Sequence, residues 1–419
     1  MVWHPLLVCP LHWPPFLNAF MVWDWMMASE RLSSKGQRVK IVGAHVDGKR
    51  ALAAYLCDLP SCLKDFDIEI REDDQVLTEA RLFYVKVLQK YGNLKGLWKA
   101  KSFSDYGGLM QVKVKPFGII GYEIRPPKCP HLKQPIRKIP YFEIAVSEME
   151  SKPVISCLCG REKHGLRISC KLSQDATLCT DQFTTSCLSH SSHKGVDEYT
   201  GEDLVDWLNQ ELDLQTPGGQ LSQRMFVLKF ISSKHFEYGG TYQRLELPKV
   251  PVGARVPIKP GLFKGTYSAH GLEIIMLTYN LEGTKVEGIK VTGDRNIPTE
   301  KVTIRAHLPY AMTLTREQQE TFDTLEAIPS VISDEPWEEM PSRQPFVIPQ
   351  DCAERSEELL GNSCIARFHG FGQIAESGYQ NPSFTPGHWI IFSEDLFGFM
   401  WMSLRCLSLY HRIPDTELS

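Results

Sequence analysis

A chain of 419 residues, 42% hydrophobic, 10% aromatic and 23% charged, can bury one large core or two to three ordinary ones. Its formal charge of −4 supplies no basic field for a phosphate backbone, which argues against a nucleic-acid partner. Twelve cysteines scattered over so long a chain suit a reducing compartment with one local metal knot better than an oxidised scaffold.

In chain order, residues 1–27 are apolar and aromatic, but no Lys or Arg precedes Arg31, and Pro14-Pro15 breaks the run. A signal peptide needs a basic start and a spanning helix about 20 unbroken apolar residues, so no membrane partner is expected. The stretch reads as a disordered lead or a wrongly joined first exon. The first helix is predicted over 74–91. Val76, Leu77, Ala80, Phe83, Tyr84, Val87, Leu88 and Tyr91 recur at three- and four-residue spacing, Asp73 and Asp74 favour its start, and Gly92-Asn93 ends it.

From about 96 the texture changes to short β-type runs punctuated by Gly and Pro. Strands are predicted at 109–114, 118–124, 142–146, 225–231, 242–247, 272–277, 301–304, 366–368, 388–392 and 398–404. That density predicts a mainly β (α+β) fold built on an antiparallel barrel-like domain, with a short helical region before it. A helix is expected at 201–213, where Leu204, Val205, Leu208 and Leu212 oppose Asp203, Asp206 and Glu211, and another at 316–326. The organisation is then 1–72 poorly defined, 73–95 a connecting helix, 96–326 the first part of the β domain, 327–345 a Pro-, Ser- and Glu-rich linker or loop, and 346–414 the strands completing it.

Between 157 and 193 lies a polar stretch, read as a loop, in which Cys157 and His164 are separated by six residues and Cys187 and His193 by five. Tetrahedral zinc takes four N or S ligands, and a short connection within each pair lets both side chains reach one ion. Cross-linking would order such a loop. Cys159, Cys170, Cys179 and His190 are spare candidates, and free surface thiols and imidazoles remain the plainer alternative. The spacing is not that of a standard zinc finger.

The second informative stretch is IKPGLFKGTYSAHGLEIIML at 258–277, followed by GIKVTGDRNIP at 288–298. Its glycines mark turns or bulges beside Tyr267, His270, Glu273 and Asp294. His270 with Glu273 could suggest acid–base work, but the chain has no nucleophile elbow, no HExxH and no phosphate loop. A structural hydrogen bond is the plainer role, and Gly293-Asp294 could be only a turn.

These segments, together with YVKVLQKYGNLKGLWK, DYGGLMQVKV, FGIIGY, QPFVIP and the block SGYQNPSFTPGHWIIFSEDLFGFMWMSLRCLSLYHR, resemble in fixed order the F-box only protein 31 family over about 83–413. The resemblance implies a non-catalytic substrate receptor of an SCF-type ubiquitin ligase in the cytoplasm or nucleus. Its F-box would grip the Skp adaptor on a cullin scaffold, while a β-barrel-like domain holds the C-terminal degron of D-type cyclins or amide-terminated proteins. It implies structural Zn2+ on Cys157, His164, Cys187 and His193, with the first pair one residue closer than the family pattern. The degron pocket is expected around Phe263, Lys264, Tyr267, His270, Glu273, Thr292 and Asp294, with Asp294 bonding an amide terminus and repelling a carboxylate, or only capping its turn. The departure is at 28–72, where Leu59-Pro60 stands without the leucine- and valine-rich helices of an F-box. A barrel-type binding or scaffold protein without an adaptor is therefore the alternative.

Overall fold

The computed structural model describes residues 82–101, 105–115, 117–127, 132–147, 152–159, 163–172, 179–188, 201–211, 239–267, 271–328, 337, 343–352 and 361–418. The expected F-box region, the start of the first helix and the strand expected at 225–231 lie outside them.

The fold is mainly β, and its strands divide between two closed antiparallel barrels of eight strands each. The first holds β1 Gly96–Ala100, β2 Leu109–Lys115, β3 Gly118–Arg125, β4 Arg137–Val146, β5 Pro153–Cys157, β6 His164–Leu172, β7 Cys179–Cys187 and β8 Thr241–Arg244. It closes where β1 pairs with β8, Trp98 facing Arg244. The second holds β9 Gly261–Thr266, β10 Leu272–Tyr279, β11 Lys285–Lys290, β12 Val302–Ala311, β15 Ala366–Glu376, β16 Gln380–Ile391, β17 Leu396–Trp401 and β18 Cys406–Arg412. It closes between β18 and β9, Tyr410 facing Gly265. A two-stranded ribbon, β13 Gln344–Pro345 with β14 Ser363–Cys364, lies between β12 and β15 in the chain. The stretch expected as a loop from Cys157 onward carries β6 and β7, a paired hairpin.

Each barrel is filled with side chains, as expected for eight strands. In the first, Trp98, Phe142, Phe183 and Tyr242 meet, with Phe183 stacked on Tyr242 at 4.9 Å. Helical turns Tyr84–Leu88 and Gln89–Tyr91 add Val87, Leu88 and Tyr91 to that core. In the second, Phe263, Phe368, Trp389, Phe397, Phe399 and Tyr410 fill the interior, and Phe397 stacks on Tyr410 at 4.6 Å. A third cluster joins the barrels: Leu97, Leu109, Ile124 and Leu245 from one meet Leu262, Ile274 and Val291 from the other. A fourth covers an outer face of the second barrel with Leu314, Phe322 and Phe346 against Ile390, Phe392 and Met400.

Closure of the second barrel depends on one bare backbone position. A Cβ at Gly265 would overlap the ring of Tyr410, its cross-strand neighbour. Overpacking of this kind costs about 1–3 kcal/mol, so Gly265→Ala is expected to lower the midpoint of chemical denaturation accordingly. An unchanged midpoint would show that the Tyr410 ring shifts freely.

Candidate functional site

Two groups of side chains concentrate the chemistry. The first sits at one end of β5, β6 and β7. Cys157 and His164 are cross-strand partners, and Cys187 ends β7 opposite Leu166. The sheet thereby carries two thiols and an imidazole to one place, their ligand atoms all within 4.8 Å of one another. Both thiols are buried and the imidazole is half-buried. Three residues that the sequence singled out over a span of 31 positions are thus neighbours, and together they can hold a metal ion. His193 lies outside the described residues.

The second group lies at one end of the second barrel, where Ile275, Leu277 and Val286 belong to the interior core. Strand alternation puts Glu273 on the face of Ile275 and Leu277, and Lys290 on the face of Val286 and Gly288. There the Lys290 Nζ stands 2.6 Å from Glu273 Oε2 and 2.5 Å from Asp294 Oδ2. Lys290, Glu273 and Asp294 are only 1%, 1% and 2% exposed. The lysine ammonium also lies 4.1 Å from the ring centre of Tyr267, whose hydroxyl donates to Thr303 Oγ1 at 3.2 Å. One ammonium thus stands against two carboxyl groups, buried where solvent screens their interaction little.

Asp294 is anchored on both oxygens. Oδ1 accepts from the backbone N–H of Asn296 at 2.6 Å and of Ile297 at 2.9 Å, while Oδ2 takes the lysine. It therefore caps its turn and pairs with Lys290 at once. Thr292 Oγ1 accepts from the N–H of Ile274, holding the turn against β10. The first barrel contributes a wall: Gly107 bridges to Thr292, the N–H of Gly293 donates to the carbonyl of Tyr106, and that of Thr299 to the carbonyl of Asp105. Burial, then the charge of Asp294, pushes the Tyr106 phenol up to about 12, so it stays a neutral O–H.

The remaining expected pocket residues fall elsewhere. Phe263 points into the barrel core. Lys264 points out of it, donates to the carbonyl of Gln134 in the first barrel, and has its pKa lowered by burial, which Glu417 partly offsets. His270 lies outside the described residues. Sequence reasoning missed Lys290 and Tyr106. The lysine had a signal, its alternation with Val286 and Gly288 in KVEGIK; Tyr106 had none beyond its place in DYGG.

The architecture is thus a pair of closed barrels with a buried polar cluster where they meet. A family model described as the Cyclin D1 binding domain matches residues 242–416, which include the whole second barrel. Proteins called F-box only protein 31 are 31% identical over 402 residues in Rattus norvegicus, covering 85% of this chain and 76% of the relative, and 30% identical over 422 residues in Homo sapiens, covering 85% and 75%. F-box only protein 31-A of Xenopus laevis is 31% identical over 385 residues, covering 79% and 71%. The chain belongs to the F-box only protein 31 family. Among the described residues, no helix is long and apolar enough to cross a membrane.

Proposed function

We propose that the chain is the substrate-recognition subunit of an SCF-type ubiquitin ligase, and that it captures target proteins by a C-terminal degron at the joint of the two barrels. The observation that carries this reading is the buried Glu273–Lys290–Asp294 cluster, which lies within the stretch matched as a cyclin D1 binding domain. A pocket for a chain terminus needs a few fixed polar groups in an apolar setting. The carboxyl acceptors of Glu273 and Asp294 favour a terminus that brings N–H donors, such as an amide, over a carboxylate, which brings none. Lys290 gives a terminal carbonyl a donor. Capture is non-covalent; the ubiquitin-conjugating enzyme on the assembled ligase does the lysine chemistry.

Zn2+ on Cys157, His164, Cys187 and His193 completes the proposal. Two thiolates and two imidazoles close a tetrahedral shell and leave no position for a reactive water, so the ion is structural. It would pin the end of the β5–β7 hairpins to the segment that follows β7.

The pocket is tested by titrating amide- and carboxylate-terminated peptides of one degron sequence. Asp294→Asn removes the charge of that carboxyl group while still accepting the turn N–H groups. It is expected to weaken the amide peptide on the order of tenfold, about 1.4 kcal/mol, and to narrow the preference between termini. Unchanged affinity and preference would remove Asp294 from the recognition machinery.

The lack of a leucine- and valine-rich pattern at 28–72 favours a second reading, a barrel-type binding protein that does not assemble with the Skp adaptor. Co-purification of the adaptor with the full chain decides between them: a stoichiometric complex supports the ligase subunit, and its absence the adaptor-free protein.

A further inference from the structure

A different cluster lies on the opposite face of the second barrel's wall, and it owes nothing to the receptor reading. Ala366 and Phe368 of β15 point into the barrel, so alternation turns Arg367 and His369 outward. His388 of β16 is the cross-strand partner of His369, and Ile390, the partner of Arg367, belongs to the apolar cover over this face. The cover seals the guanidinium completely, at 0% exposure. Phe346 lies 5.6 Å from it, and Nη2 donates to Gln319 Oε1 at 2.9 Å. That amide is already committed. Its oxygen also accepts from the N–H of Val347, and its NH2 faces the carbonyls of Leu314, Thr315 and Pro345.

Other polar atoms of this group lack partners. Nε and Nη1 of Arg367, Nδ1 of His388 and Nε2 of His369 are all buried atoms without a hydrogen bond. His388 is 5% exposed, and its ring centre lies 5.6 Å from that of His369. Among the described residues no carboxylate pairs with Arg367; the one anionisable neighbour acting on it is the buried thiol of Cys364, which burial keeps protonated. Burial lowers the guanidinium to about 10, so it remains a cation at neutral pH. Burial, then the charge of Arg367, holds His388 well below the ordinary imidazole range, leaving a neutral ring with an N–H to offer. A buried ion with two unfilled N–H donors, beside two unpartnered imidazole nitrogens, is costly unless something accepts from it. The missing partner must bring negative charge and several acceptor oxygens. His369 is half-buried, the most exposed of the three.

We propose that Arg367, His388 and His369 form a binding site for a small oxyanion, of which inorganic phosphate is the probe and a carboxylate the second source of the same chemistry. The test is thermal unfolding of the full chain against sodium phosphate, and separately sodium acetate, at ionic strength held constant with chloride. A saturable rise in Tm of about 5 °C is expected at a hundredfold excess over Kd, and it should vanish in Arg367→Met, which keeps the shape of the side chain without its charge. A rise in either the phosphate or the acetate arm that depends on Arg367 supports the site and identifies the preferred oxyanion. An equal rise in wild type and Arg367→Met would reflect general exclusion of the salt from the surface and overturn it. So would insensitivity of the wild type to both anions. Should Arg367→Met fail to fold, His388→Phe is read the same way: weakened anion dependence supports the site, and unchanged dependence overturns it.

Discussion

Replacing Lys290 with methionine is expected to cost about 3–5 kcal/mol of stability, the penalty for stripping a buried charge of its partner. The lysine is 1% exposed and touches both Glu273 and Asp294, so its loss takes away a cation that both buried carboxyl groups share. For a unit of this size that is a fall in Tm of roughly 6–20 °C. Adding Glu273→Gln and Asp294→Asn to Lys290→Met should recover most of the loss, because the three groups then carry no charge and the introduced asparagine can still cap the turn. If Lys290→Met melts with the wild type, the three groups are not coupled as the distances imply, and the cluster invoked for degron selection goes with them.

The second large effect is expected at the other end of the molecule. Under the zinc proposal, purified protein carries one zinc, and chelation lowers the stability of the first barrel by about 3–4 kcal/mol, the contribution of a ligand held at roughly 100 to 1,000 times its Kd. Cys157→Ala and Cys187→Ala should abolish both the bound metal and the response to chelator. Cys157 and Cys187 are buried, so each substitution also trims the core; the chelator response, which a packing loss alone would not erase, separates the two effects. Elemental analysis showing no zinc in native protein would end the proposal.

How far the sequence shows this architecture depends on the range of the interactions involved. The runs at 109–114, 118–124 and 272–277 appear as β2, β3 and β10 because apolar side chains mark them locally. β7 looks like a polar loop because Ser, Thr and Cys dominate CTDQFTTSC, whereas β6 did carry a signal, the alternation of Leu166, Ile168, Cys170 and Leu172 in HGLRISCKL. β1 was hidden by its shortness. Division into two barrels is not a local property at all, since it rests on pairings such as Trp98 with Arg244 that no window can contain. The candidate sites follow the same rule. Cys157, His164 and Cys187 announce themselves by residue type, and the sheet then brings them together. Lys290 does not, because a lysine inside a barrel contradicts its usual preference for solvent, and only its two carboxylate partners explain it. The turn around Asp294 was legible from Gly293-Asp294, whereas the contribution of Tyr106 from the other barrel was not.

The strand β8 has a consequence for how the molecule can be divided. The matched recognition domain begins at residue 242, inside Thr241–Arg244, the strand that closes the first barrel between β1 and β7. A fragment cut there carries off the last stave of its neighbour and leaves two raw edges, each a row of unpaired N–H and C=O groups that invites association. It also forfeits Tyr106 and the backbone of Asp105 that brace the turn bearing Asp294. The two barrels are thus interleaved in one chain, and the segment that sequence comparison isolates is not a module the fold can release intact.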